Sequence, residues 1–145
     1  MFHLLSDTEV ALNEILVASR ESVDHYEDAI KLVENTEVAE RFQHIAQQRK
    51  LFFKRLSAAI RELGDLPSVP DPDKETGEML LHHLGAALTP DYTNEAITQR
   101  LEAEQHLQEL INNARDTDPN ENCRALLEDL ANQVTNAIKL LSNMN

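Results

Sequence analysis

The chain has 145 residues, with 26 Asp+Glu against 13 Lys+Arg, a net charge of −13, 3 Gly and 1 Cys. Three glycines cannot supply the turns of a sandwich or barrel or a phosphate-cradling loop, and one cysteine excludes a disulfide framework or a Cys-rich zinc site. The acidic surplus argues against nucleic acid, whose phosphates would repel it, and against anionic membrane surfaces.

The length fits one domain over 1–145, large enough to bury a real core. Helical patterning runs through almost all of it. Ser6-Asp7-Thr8-Glu9 reads as a capping box that opens a first long helix over about 7–34. Asn35-Thr36 breaks it and caps a second, which ends at Gly64, a residue suited to the left-handed position after a helix. Three prolines within 66–72 make that stretch an extended linker. A shorter helix follows over about 74–88 and stops at Thr89-Pro90. A third long helix spans about 93–115. Asp118 is expected to cap the fourth, with Pro119 at its first position and its end near 142.

Short links join the first and last helix pairs, so each pair should form an antiparallel hairpin. The long middle connection can run the length of the bundle. The expected architecture is an all-α four-helix bundle, up-down-down-up, with a short extra helix in the crossover.

A helix advances about 100° per residue, so its core face can be drawn from the sequence. The first stripe is Leu12, Ile15, Leu16, Val23, Tyr26, Ile30 and Val33, with Ser19 at its centre. The second is Val38, Phe42, Ile45, Phe52, Leu56, Ile60 and Leu63, with Arg49 at its centre. The third is Ile97, Leu101, Gln108 and Ile111, with Glu104 at its centre. The fourth is Cys123, Leu127, Leu130, Ala131, Val134, Ile138 and Leu141, with no charge. Arg49 and Glu104 thus point into one bundle with opposite charge. A buried charge is costly alone, and a guanidinium matches a carboxylate bidentately. The expectation is a buried Arg49–Glu104 pair with Ser19 and Gln108 as nearby hydrogen-bond partners. The alternative is that Arg49 lays its stem on apolar surface and sends its head to solvent.

The run Ile45-Ala46-Gln47-Gln48-Arg49-Lys50-Leu51-Phe52 resembles the second helix of rubrerythrin and the ferritin-like di-iron proteins. Gln48-Arg49-Lys50-Leu51-Phe52, with the crossover run Leu81-His82-His83-Leu84-Gly85-Ala86-Ala87-Leu88-Thr89, resembles a bacterial ferritin-like subgroup of unknown function. The resemblance covers 12–141. It implies a ferritin-like fold, and in the di-iron members a centre built from six ligands. Position by position, Ser19 stands where a Glu is expected and Arg49-x-x-Phe52 where Glu-x-x-His is expected. Glu104 matches the third-helix carboxylate. Ala131-x-x-Val134, or Asn132-x-x-Thr135 in the next register, replaces the last pair. One ligand of six remains, and Arg49 would repel a dication.

The other polar residues read more plainly. His25, on the flank of its stripe, with Glu21, and His106 with Glu102, are expected to make ordinary i,i+4 contacts. His44 flanks its stripe and His3 lies in the terminus. His82 and His83 form the one doublet. They diverge by about 100° on a helix and could hold a surface metal only with a second chain's help. Cys123 is expected to be a small buried apolar residue. Glu27-Asp28, Glu102 and Glu128-Asp129 read as solvated faces. The crossover helix is apolar on more than one side, which favours a homodimer. The acidic N-terminus makes a poor secretory signal, and a cytoplasmic protein is expected. The leading functional expectation is a non-enzymatic protein without metal or other cofactor, acting through self-association or protein contacts. The alternative is a divergent iron or manganese protein or oxidoreductase of the ferritin-like class.

Overall fold

The computed structural model describes residues 6–65, 67, 71–88 and 91–144. The terminus around His3, most of the 66–72 linker and the Thr89-Pro90 break lie outside the described residues. Five helices follow in order: α1 (Asp7–Leu32), α2 (Thr36–Glu62), α3 (Pro72–Leu88), α4 (Thr93–Arg115) and α5 (Glu121–Asn143). No strand occurs among the described residues.

Local chemistry sets the ends. Ser6 Oγ accepts from the Glu9 N–H at 3.1 Å, and Asn35 Oδ1 accepts from the Val38 N–H at 3.1 Å. Each side chain satisfies a backbone donor that the first helical turn leaves free. Gly64 takes φ 90, with its N–H on the Arg61 carbonyl and the Asp65 N–H on the Ile60 carbonyl. That is a Schellman closure, which favours glycine because a Cβ crowds the left-handed backbone.

The start of α5 corrects the expectation of an Asp118 cap and a helical Pro119. Asn120 is the cap, accepting from the Cys123 N–H at 2.9 Å. Asp118 sits before it at φ 55, in the left-handed region that Asp tolerates better than most residues. Its carboxylate pairs with Arg124, whose Nε also donates to the Pro119 carbonyl.

The pairing of helices follows from contacts between them. Asn13 near the start of α1 donates to Asp65 just beyond α2 at 2.7 Å, so α1 and α2 run antiparallel. Thr8 meets Thr117 beyond the end of α4 at 2.8 Å, so α1 and α4 also run antiparallel. Arg115 reaches Glu128, closing the α4–α5 hairpin, and Arg55 reaches Asp129 between α2 and α5. The result is the up-down-down-up bundle, with α3 in the crossover and packed on α1.

The apolar faces bury two separate clusters. One gathers Leu12, Leu16, Leu56, Ile60, Leu107, Ile111, Leu127 and Val134, and the other Val23, Phe42, Ile45, Ile97 and Leu141. Arg49 is the middle residue of α2 and Glu104 the middle residue of α4. The level between the two clusters is polar. Cys123 is buried among the first cluster, and burial pushes its thiol up.

Candidate functional site

The polar level is built by α1, α2, α4 and α5. Arg49 is 0% exposed and Glu104 is 1% exposed. Their stripes place them there: each lies on its helix's apolar face, so packing draws the charge inward. Each of the three guanidinium nitrogens has an acceptor. Nη2 donates to both oxygens of Glu104, at 2.8 and 3.0 Å. Nη1 donates to Ser22 Oγ at 3.1 Å, and Nε to Gln133 Oε1 at 2.7 Å. One nitrogen thus serves both carboxylate oxygens, rather than the expected two-nitrogen fork. The Tyr26 hydroxyl adds a donor to Glu104 Oε1 at 2.8 Å. Burial, then the adjacent Glu104 charge, holds the Tyr26 phenol well above its ordinary value, so it stays a neutral donor. Every charge-bearing atom of the pair therefore has a partner, as a low-dielectric site requires.

Two of the expected neighbours are placed differently. Gln108 is exposed and takes no part in the network, because α4 turns Leu107 into the core instead. The inward face of α4 is Ala96, Ile97, Arg100, Glu104, Leu107, Ile111 and Ala114. Ser19 is fully buried, yet its hydroxyl has no partner among the described residues. Ser22, three residues on and on the same face, is the serine that reaches Arg49.

Besides Ser22, three residues of this level fall outside the expected set. Tyr26 belongs to an apolar stripe, Gln133 adjoins the buried Val134, and Arg100 stands four residues before Glu104 on the inward face. The i,i+4 spacing of Arg100 and Glu104 was the readable signal. Arg100 is 6% exposed, and its guanidinium carbon lies 5.6 Å from the Tyr26 ring centroid. It makes no hydrogen bond or ion pair to any described residue. Burial lowers its pKa from the ordinary value.

The histidines also sit apart from expectation. His25 is buried, not on a flank, and its Nε2 lies 2.9 Å from Glu78 on α3. Burial first, then the Arg100 charge, lowers the His25 pKa. The His82 ring packs edge-on to His25 at 5.1 Å, and its pKa is lowered by burial in the same way. His83 turns outward to Asp28 at 2.8 Å. The doublet therefore separates, as the helical turn dictates, and does not form a joint site within this chain. Among the described residues no group of three or more His, Cys, Asp or Glu is placed to hold a metal ion.

A ferritin-like di-iron or di-manganese centre takes a Glu from each of two helices and Glu-x-x-His from each of the other two. The inward residues here are Ser19, Arg49 with Phe52, Glu104, and Val134 beside the half-buried Ala131. One carboxylate bonded to a guanidinium does not fit a pair of dications, which need several anionic or neutral lone-pair donors.

A solved structure matches the chain with a TM-score of 0.71, at 17% identity over 94% of this chain. It is a two-domain protein from Anabaena variabilis ATCC 29413 containing DJ-1/ThiJ/PfpI-like and ferritin-like domains. The chain has a ferritin-like fold. It spans 35% of that two-domain protein. No family model matches the chain, and no curated protein matches it significantly.

Proposed function

We propose that this chain is a single-domain, metal-free and non-enzymatic ferritin-like protein, of the bacterial subgroup its helix 2 and crossover motifs resemble. In this reading an ion pair fills the position a di-metal centre takes in catalytic members. The observation that carries it is the Arg49 guanidinium at the middle of the bundle, bonded to the one inward carboxylate. Its fixed positive charge and its N–H donors are the opposite of what a metal ligand offers.

The protein then acts through its surface, as a homodimer in the cytoplasm and without nucleic acid. No described helix is long and apolar enough to cross a membrane. Supporting self-association, α3 carries Leu80, Leu81, Leu84 and Leu88 at 54–85% exposure, with Leu81, Leu84 and Leu88 on one helical face. A second copy would cover this ridge. Sedimentation of the wild type should give a dimer, and Leu84→Glu with Leu88→Glu a monomer.

The deciding experiment is metal analysis of protein purified without chelator. Substoichiometric iron and manganese, unchanged by Glu104→Ala, is the expected result. Stoichiometric metal that Glu104→Ala removes would establish the divergent di-metal protein instead.

A further inference from the structure

Beside the Arg49–Glu104 pair a cavity of about 180 Å³ opens between α1, α3 and α4. It is lined by Ser22, His25, Glu78, His82, Arg100 and His106, with Glu21 at its side. That is below the roughly 300 Å³ at which drug-sized pockets begin, so it suits a ligand of a few non-hydrogen atoms. Its chemistry is set by what is left unbonded. Arg100 brings five N–H donors in a rigid fork and finds no acceptor among the described residues. Its Nη1 is sealed from solvent without a partner among the described residues, and so is Nδ1 of His25. Native proteins pair buried guanidinium groups almost without exception.

The nearby anions do not supply the missing acceptor. Glu104 is bonded to Arg49 and Tyr26. Glu78 faces His25 Nε2 at 2.9 Å and Lys74 at 3.7 Å. Glu21 lies 3.9 Å from Lys74, and burial raises its pKa. Tyr26 stays neutral and offers Arg100 only its ring face. The donors of Arg100 are therefore left for an acceptor from outside the described residues. A planar group with two oxygens fits a guanidinium edge best.

We propose that this cavity is a binding site for a small carboxylate-type oxyanion, anchored by Arg100 and walled by α3 through His82 and Glu78. The site adjoins the Arg49–Glu104 pair through Ser22 but does not depend on the bundle centre being free of metal.

The test is thermal unfolding of the full chain with sodium formate, acetate or bicarbonate, against sodium chloride at equal ionic strength. A ligand that binds only the folded state raises Tm with its concentration. The wild type should gain ~8 °C over the chloride control at a hundredfold excess over Kd, and the rise should follow a single binding curve. Arg100→Met should fold, because it removes an unpaired charge, and should lose the gain. Arg100→Lys should keep only part of it, since an ammonium lacks the fork. The His25 and His82 ring signals should shift with acetate in the wild type and stay fixed in Arg100→Met. No gain beyond chloride, an equal gain in Arg100→Met, or unmoved ring signals in the wild type would overturn the proposal.

Discussion

Arg49 and Arg100 are buried within a helical turn or so of the same carboxylate, yet their surroundings differ in kind. Arg49 meets Glu104, Ser22 and Gln133 and leaves none of its three nitrogens without an acceptor. Arg100 rests on an aromatic face beside a cavity and donates to none of the described residues. A closed network of this kind holds four helices in one register, since each partner is on a different element. An open donor set instead asks for something to bind. Burial alone therefore does not assign a role to a charge; the count of satisfied donors does.

Breaking the closed side should have the largest effect. Glu104→Ala leaves the buried Arg49 guanidinium with no carboxylate and should cost about 3–5 kcal/mol in urea unfolding. Tyr26→Phe removes one hydrogen bond to that charge while keeping the ring under Arg100. It should cost about 2 kcal/mol by the same measurement. On the open side the sign reverses. Arg100→Met gives up a cation–π contact but also a desolvated charge, and should raise stability by about 1 kcal/mol in chloride buffer.

The smallest effect concerns pH. Burial and the Arg100 charge disfavour the His25 imidazolium, so the folded chain protonates there less readily than the unfolded chain. The His25 contribution is full above its ordinary value of 6.5 and is lost as pH falls through 6.5. His82 acts in the same direction. Glu75, pushed up to about 7 by burial and its bond to Asp24, opposes them, since the folded chain gains as pH drops through 7. Comparing wild type with His25→Gln isolates the histidine. The wild type should lose stability relative to the variant between pH 7 and 5, and a constant difference would contradict the assignment.

The fold was legible because its signals agree at several levels. Stripes at helical spacing, the Ser6 and Asn35 caps and Gly64 all mark the same boundaries, and the long crossover fixes the topology. The central pair was legible because two stripes carry opposite charges at their centres, and each offers the other a buried partner. The rest of the polar level was hidden by residue types that read ambiguously. Tyr26 counts as apolar until its hydroxyl finds an acceptor. Ser19 and Ser22 share a face, and only the depth of α1 against α2 decides which one meets Arg49. On α4, the small Ala96 and Ala114 and the charged Arg100 do not announce a core face. The stripe through Ile97, Glu104 and Ile111 does pack, with Leu101 at its edge, but Gln108 is exposed and Arg100 and Leu107 complete the inward face. At α5 the choice of Asn120 over Asp118 as cap turned on Asp118 adopting a left-handed backbone, which the local sequence does not dictate.

The most direct measurement of the central claim is a double-mutant cycle on urea unfolding with Arg49→Met, Glu104→Leu and the two together. If the pair fills the bundle centre as a mutually dependent unit, each single change is severely destabilising. The double change then costs far less than their sum, because no buried charge is left alone. Additive losses, with the double variant as destabilised as the two singles combined, would contradict the account.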